Sequence, residues 1–454
     1  MTKVFIGAAA GFAGDRSDAG VPVVNALAAQ TGPRFLMFET LAERTLALCQ
    51  LERRQNSQRG YSPALERMLP PVLARCLESG IRIVGNFGAA NPAAAARRIA
   101  EIAGALGLRA PRIAIVEGDD IADKLSTTEL AAREVGGESL ARLPKIISAN
   151  VYLGAQPMAR ALDQDADVVV TGRVADSVLA LGPLLHAFKW RADDWDRLGA
   201  GTLAGHLLEC GAQVTGGYFA DPGYKDVPDL AEVGYPIAEI DETGEVVITK
   251  PAGTGGRVDR LTVVEQLLYE IHDPSAYLAP DVVLDLTDVE VAETGKDRVR
   301  VSGARGKPAP ETLKATVCFD SGVLGEAEIS YAGPNASARA QLAAEVVCQR
   351  LRKRLPRLDI RVDAIGVASV LGAGHNPPDL RAAQTNDVRL RFAAQSTDPA
   401  QIEALLDEVE ALYCAGPAGG AGVRRRVTPR LASASCLIER HYAQPRVTIM
   451  GART

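Results

Sequence analysis

Short apolar runs recur through the first half of the chain, each followed by a Gly- or Asp-rich break and then by an Ala/Leu-rich stretch of helical period. The runs are Val4–Ile6, Phe35–Phe38, Ile81–Val84, Ile113–Val116 and Val168–Val170. Their starts lie one or two βαβ units apart, and such a unit needs about 30 residues because the crossover must hold a helix that returns across the sheet. The runs are continuously apolar rather than alternating, which predicts strands covered on both faces. The pattern therefore predicts an α/β fold: an N-terminal wound, mostly parallel sheet with helices on both faces.

Helix signals agree with this reading. Thr40-Leu41-Ala42-Glu43 has the form of a capping box, and Leu41, Thr45, Leu48 and Leu51 then keep roughly helical spacing. Asn91 before Pro92 predicts an N-cap with Pro at the first helical position, opening an Ala-rich helix that Gly107 ends. From about residue 185 to 256 the pattern loosens into Gly-rich loops, among them Gly216–Pro222 and Lys250–Gly256.

At 454 residues the chain exceeds what one core serves, and two domains are expected. A charged, turn-rich stretch near Gly295–Pro310 puts the boundary between residues 1–295 and 296–454. Beyond it the grammar changes. Lys314–Phe319 and Glu326–Tyr331 read as alternating strands, followed by helix Ala338–Arg352, strands Arg361–Val367 and Asp387–Phe392, helix Gln401–Tyr413 and a last strand at Leu431–Ile438. This ββαββα order with short connections predicts a C-terminal α+β domain on an antiparallel or mixed sheet.

The carboxyl ends of parallel strands share one edge, so the segments after the five N-terminal runs are expected along one crevice, where open α/β sheets bind ligands. Those segments are Gly7–Arg16, Glu39, Gly85–Asn91, Glu117–Asp120 and Thr171–Asp176, all polar or Gly-rich. Gly11 and Gly14 serve a tight turn or let backbone amides cradle an anion at a helix N-terminus, with Arg16 beside them. Asp15 fits a helix cap or an acid-base group. Glu43 is the expected capping-box partner, which leaves Glu39 as the better functional candidate. Asn86 lies inside its loop with no capping duty.

Asp119 with Asp120 offers two carboxylates for a divalent cation or for proton transfer, against a solvated pair. Arg173 with Asp176 offers a cation for a substrate carboxylate and a general base, against an i,i+3 ion pair. In the second half, Gly416–Arg426 joins a flexible loop to three cations, and Arg424 is the candidate anion contact.

Composition narrows the classes. Hydrophobic residues at 47% and charged residues at 23% match ordinary globular usage, and a net charge of −6 with scattered Lys and Arg argues against nucleic acid or an anionic membrane as partner. A small molecule is the expected partner. No run approaches about 20 apolar residues, so a membrane helix is not expected, and no secretory signal precedes the first strand, which together suggest a cytoplasmic protein. Cys49, Cys76, Cys210, Cys318, Cys348, Cys414 and Cys436 are odd in number and widely spread, as in a reducing compartment. Only His206 and Cys210, four apart on one expected helix, place two soft ligands on a single face. The five histidines (His186, His206, His272, His375 and His441) form no H-E-x-x-H pattern, and no G-x-S-x-G elbow is present.

At these same loops the chain resembles the acyclic terpene utilisation family, known as a domain of unknown function. The matching stretches are Ala10–Arg16, Leu41–Thr45, Asn86–Pro92, Gly118–Asp120, Thr171–Ser177, Gly205–Gly211, Thr215–Pro222 and Gly416–Arg425, which span nearly the whole chain. Ala13 stands where a Ser is expected and Ala421 where a Gly is. The resemblance implies a role in bacterial breakdown of branched or isoprenoid carboxylic acids beside acyl-thioester enzymes, and assigns no reaction.

Together these readings suggest an acid-base enzyme acting on an organic acid or its CoA thioester by addition, elimination or isomerisation. Asp15, Glu39, Asp119 and Asp176 are its proton-transfer candidates, Arg173 and Arg424 hold the carboxylate, and the first-loop amides bind an anion. An NAD(P) enzyme is the alternative, since Glu39 ends the second strand where a ribose-binding carboxylate would sit, although G-x-x-x-G-x-x-G departs from the dinucleotide fingerprint. A non-catalytic acyl-binding or partner subunit is a third reading, and a homo-oligomer is the default assembly.

Overall fold

The computed structural model describes residues 2–370, 379–380, 383 and 385–451. Residues Met1–Cys318 with Ser433–Thr454 form one compact unit and Phe319–Ala432 a second.

In the first unit the five apolar runs become the strands Lys3–Ala10, Arg34–Phe38, Arg82–Gly85, Ile113–Glu117 and Val168–Thr171. They are parallel neighbours in the spatial order first, second, third, fifth, fourth, with Ile6 opposite Phe35, Leu36 opposite Ile83, Val84 opposite Val169 and Ile115 opposite Val170. Both faces are buried. Phe5, Leu36, Phe38, Ile83, Ile115 and Val170 share a core with Val24, Leu73 and Ile99 from the helices Gly20–Ala28, Pro70–Ser79 and Pro92–Ala105. The alternating residues Val4, Ile6, Met37, Val84 and Val169 are equally buried, and the helices Gln156–Leu162, Val178–Phe188 and Trp195–Glu209 pack on the same strands.

The sheet as a whole is mixed rather than mostly parallel. Ile237–Asp241 pairs antiparallel with the first strand, Val246–Thr249, Arg298–Ser302 and Glu290–Gly295 continue outward from it, and Arg446–Met450 pairs antiparallel with the fourth, giving ten strands. Two of these pairs, Ile237–Asp241 with Val246–Thr249 and Glu290–Gly295 with Arg298–Ser302, are hairpins whose connections are too short for a crossover helix, which forces them antiparallel. No described helix is long and apolar enough to cross a membrane.

Three expectations are corrected. Glu43 opens the helix Glu43–Gln55, its N-cap Ala42 has no side-chain bond, and the Thr40–Glu43 capping box does not form. The region after residue 185, expected to loosen into Gly-rich loops around a helix carrying His206 and Cys210, contains the long helix Trp195–Glu209, whose glycines allow close approach. A Cβ on Gly205 would lie 2.3 Å from the Ser177 carbonyl oxygen, and one on Gly201 2.6 Å from Leu181. Finally, the turn-rich stretch near Gly295–Pro310 supplies strands of the first unit instead of a linker: Arg298–Ser302 in the ten-stranded sheet and Arg305–Lys307 antiparallel to Val283–Asp285. The division falls inside two long strands, Thr312–Ala332 and Ala421–Glu439, and not at 295/296. The Asn91 cap does form: its side chain accepts from Ala94 N at 3.2 Å, and Pro92 opens the helix.

The second unit has strands in the order Ile360–Ile365, Asp387–Ser396, then its portions of the two long strands. With the helices Ala336–Arg354 and Pro399–Glu410 this is β-α-β-β-α-β in sequence, a split β-α-β plait, in place of ββαββα, because the two strands expected at Lys314–Phe319 and Glu326–Tyr331 are one. Ile329, Tyr331, Val347, Leu390, Phe392 and Leu405 form its core.

Candidate functional site

After the third parallel strand the chain enters the helix Pro92–Ala105 on one face of the sheet, and after the fifth it enters Val178–Phe188 on the other. These two strands are neighbours. Their loops therefore diverge and open the sheet's carboxyl edge between them, which is the topological switch point of such folds.

Three buried residues line that opening from the second and third strands. Asn86 Oδ1 accepts from the Thr40 amide at 2.7 Å and from its hydroxyl at 3.2 Å, while Asn86 Nδ2 donates to Glu39 Oε1 at 2.8 Å. The same Glu39 oxygen accepts from the Leu41 amide at 2.9 Å. Burial raises the Glu39 carboxyl well above the usual carboxylate range, the Asp176 charge raises it further, and the Arg173 cation and Asn86 oppose the shift.

Arg173, on the turn after the fifth strand, is the centre of the site. Only 1% of its side chain is exposed. Its Nε donates to the Val174 carbonyl at 2.7 Å, and its two terminal nitrogens donate to the Leu41 carbonyl and to Asp176 Oδ1. Its guanidinium carbon lies 4.5 Å from the centre of the Tyr152 ring. Burial alone would lower its pKa, but Asp176, Tyr152, Glu39 and Glu43 outweigh that and keep it charged.

Asp176 is raised too, by burial first and by the Glu209 charge, against the pull of Arg173. Protein crowds it on most sides, yet 37% of its side chain is accessible. Asp176 thus stands where water reaches its carboxyl and screens part of the shift.

Asp119 supports the turn. Its Oδ2 accepts from Asn150 Nδ2 at 2.8 Å and from the Arg173 amide at 3.0 Å, and its carboxyl packs so closely on Gly172 that a Cβ there would lie 2.5 Å from Oδ1. Burial pushes it up to about 6.

Motif reading did not single out Tyr152 or Lys314, which adjoin Arg173. Tyr152 donates its hydroxyl to Glu43 Oε1 at 2.7 Å, and Lys314 Nζ lies 4.8 Å over the Tyr152 ring and 3.8 Å from the Glu43 carboxylate. Behind Asp176, His206 Nδ1 is 2.9 Å from Glu209 Oε1. Burial works against a charged His206, but the bond and charge of Glu209 prevail and raise its pKa. His206 thus pairs with Glu209 rather than acting with Cys210.

Other expected residues have different duties. The first-loop amides are already occupied: Gly11 N donates to Asp15 Oδ2 at 2.8 Å and Arg16 N to Asp15 Oδ1 at 3.0 Å, with the Tyr235 hydroxyl on the same carboxylate. Asp15 is the anion of this loop and does not cap the helix at Gly20, and Arg16 pairs with Asp18. Gly14 makes room for the Phe12 ring, 2.5 Å from where its Cβ would lie.

Asp120 turns away from Asp119 to cap the Ala122 amide at 3.0 Å. The adjacent pair does not converge on a cation, and among the described residues no three His, Cys, Asp or Glu side chains do. Glu39 is only 6% exposed and committed to Leu41 and Asn86, so it offers nothing to a ribose and the dinucleotide reading loses its anchor. The Gly416–Arg426 cations do not form a flexible flap. The segment is strand from Ala421, Arg424 lies 4.0 Å from Glu328, and Arg425 pairs with Glu403, Asp407 and Glu410. His375 lies outside the described residues. A depression of about 710 Å³ in the first unit is lined by Asp196, Asp288, Glu290 and Arg305 and by none of the residues above.

No curated protein matches the chain. A family model described as "Acyclic terpene utilisation family protein AtuA" matches residues 4–449, which takes in every residue of the crevice. The chain belongs to the acyclic terpene utilisation family.

Proposed function

We propose that this protein is a catabolic enzyme that moves a proton on a branched or isoprenoid organic acid or its CoA thioester, in an addition, elimination or isomerisation. The observation that carries this reading is one buried cation, Arg173, serving two carboxyls raised above their usual range, of which one is accessible. Carboxyls tuned upward titrate closer to neutral pH, where general acid-base catalysis is most efficient.

Asp176 is the proton-transfer group in this account, since a substrate reaches its partly exposed carboxyl. Arg173 is a positioning residue: its fork fixes one Asp176 oxygen and stabilises the carboxylate left after proton donation. Glu39 supplies a second, buried carboxyl within electrostatic reach, and Asp119 holds the backbone that carries Arg173. The family's link to terpene utilisation supports the substrate class.

The test is turnover of a panel of branched acyl-CoA thioesters and free acids by the wild type and by Asp176→Asn. Asp176→Asn should lose at least about 100-fold in kcat, in line with a lost general acid or base. Unchanged turnover in the variant refutes the assignment.

A further inference from the structure

Arg173 is poorly suited to hold a substrate carboxylate: it is enclosed, and each arm of its guanidinium already donates within the protein. A substrate of this class still carries a compact anion, either the carboxylate of a free acid or a phosphate of its thioester. At the same Tyr152 ring stands a second cation in a different state. Half of the Lys314 side chain is exposed, and among the described residues its ammonium forms no hydrogen bond, because Glu43 stands off at 3.8 Å. The Tyr152 ring links the two cations, with Arg173 4.5 Å and Lys314 4.8 Å from its centre.

We propose that Lys314, seated on the Tyr152 ring, is the residue that receives the anionic group of the substrate. Tyr152 fixes the seat, since its buried ring is tied through the hydroxyl to Glu43 Oε1 at 2.7 Å and to Thr316 Oγ1 at 3.2 Å. Glu43, itself 41% exposed, neutralises Lys314 until the ligand arrives. An exposed pair of this length is weak, so an incoming oxygen anion displaces it readily. Three donors on a flexible stem suit a carboxylate or phosphate approaching from solvent, whereas Arg173 keeps its fork for Asp176. The division of labour gives one rim two functions: binding at Lys314 and proton transfer at Asp176. The inference rests on the acid-base reading of the crevice for its substrate class.

Calorimetric titration of the full chain with 3-methylbutanoate, with CoA and with 3-methylbutanoyl-CoA tests it. Wild type is expected to bind at least one probe. Lys314→Gln should weaken that probe roughly tenfold or more, as the loss of one charge-assisted contact implies, while Lys314→Arg stays within about threefold. Glu43→Gln should tighten binding, because the competing carboxylate is gone; a merely structural role for Lys314 does not predict this gain. Binding of the acid but not of CoA identifies the carboxylate as the group held, and the reverse identifies a phosphate. The proposal is overturned if Lys314→Gln binds every probe as wild type does, or if wild type binds none. Asp176→Asn separates the two claims: it should keep probe affinity and lose turnover, and full turnover in that variant refutes the acid-base reading whatever Lys314 does.

Discussion

Replacing Arg173 by Met probes the electrostatics of the crevice directly. The change removes the cation shared by Asp176 and Glu39 and leaves the Leu41 and Val174 carbonyls without their donors. Breaking a buried pair from one side costs about 3–5 kcal/mol, and each orphaned carbonyl about 1 kcal/mol more. Asp176 keeps 37% of its side chain exposed, so water screens part of the loss and the low end of the range applies to the pair, roughly 5 kcal/mol in all near pH 8 once the two carbonyls are added. That is a large share of a typical stability of about 5–15 kcal/mol.

The pH dependence separates charge from packing. Both carboxyls are already raised in the native state, and loss of Arg173 raises them further. A carboxyl raised by folding contributes stability that is complete at low pH and fades as pH climbs through its native value. The deficit of Arg173→Met should therefore grow from pH 5 to pH 8. Trp190 and Trp195, the two tryptophans of the chain, both lie in the first unit, so fluorescence in a urea titration reports the relevant transition. A deficit of equal size at pH 5 and pH 8 refutes the electrostatic account of the site.

Three further outcomes follow from neighbouring contacts. Stability linked to Asp119 should be complete below about pH 4 and fall as pH rises through about 6, and Asp119→Asn should flatten that part of a melting-temperature profile. Gly205→Ala drives a Cβ to 2.3 Å from the Ser177 carbonyl oxygen, and should cost about 1–3 kcal/mol in urea titration and also lower turnover, because Ser177 adjoins Asp176. Asp15→Ala strips the acceptor from the Gly11 and Arg16 amides, so their hydrogen exchange should accelerate while Asp176-dependent turnover changes by less than about threefold.

How much of this was legible in the sequence depends on whether the signal was local. The parallel strands were, because a run such as Ile113–Val116 is buried on both faces and announces it by continuous apolarity. Asn91–Pro92 was too, since capping needs only the next three residues. The antiparallel flank was not: Ile237–Asp241 and Val246–Thr249 are short, set among Gly-rich turns, and become strands only beside their partners. Gly199, Gly201 and Gly205 hid the length of the helix Trp195–Glu209, although Gly199 and Gly205 serve close contact with the backbone of distant segments.

The site divides the same way. Glu39, Asn86, Asp119, Arg173 and Asp176 follow strands and meet because strand ends meet. Tyr152 and Lys314 carry no motif and come together only because the strand Ile146–Val151, which ends just before Tyr152, pairs with Thr312–Ala332, the Tyr152 amide donating to the Lys314 carbonyl at 2.9 Å; Glu43 was hidden by a capping-box pattern that fails because Ala42, not Thr40, is the N-cap. The first loop misled for a physical reason as well: its amides do hold an anion, but the anion is its own Asp15.

Addition, elimination and isomerisation of an acyl thioester all transfer a proton at carbon, so deuterium wash-in is the most direct measurement of the central claim. A branched acyl-CoA thioester incubated with the protein in D2O and examined by mass spectrometry should gain deuterium on the acyl chain with wild type and fail to do so with Asp176→Asn. Equal incorporation by wild type and variant, or none by wild type across saturated and unsaturated branched thioesters, would contradict an acid-base site at this rim.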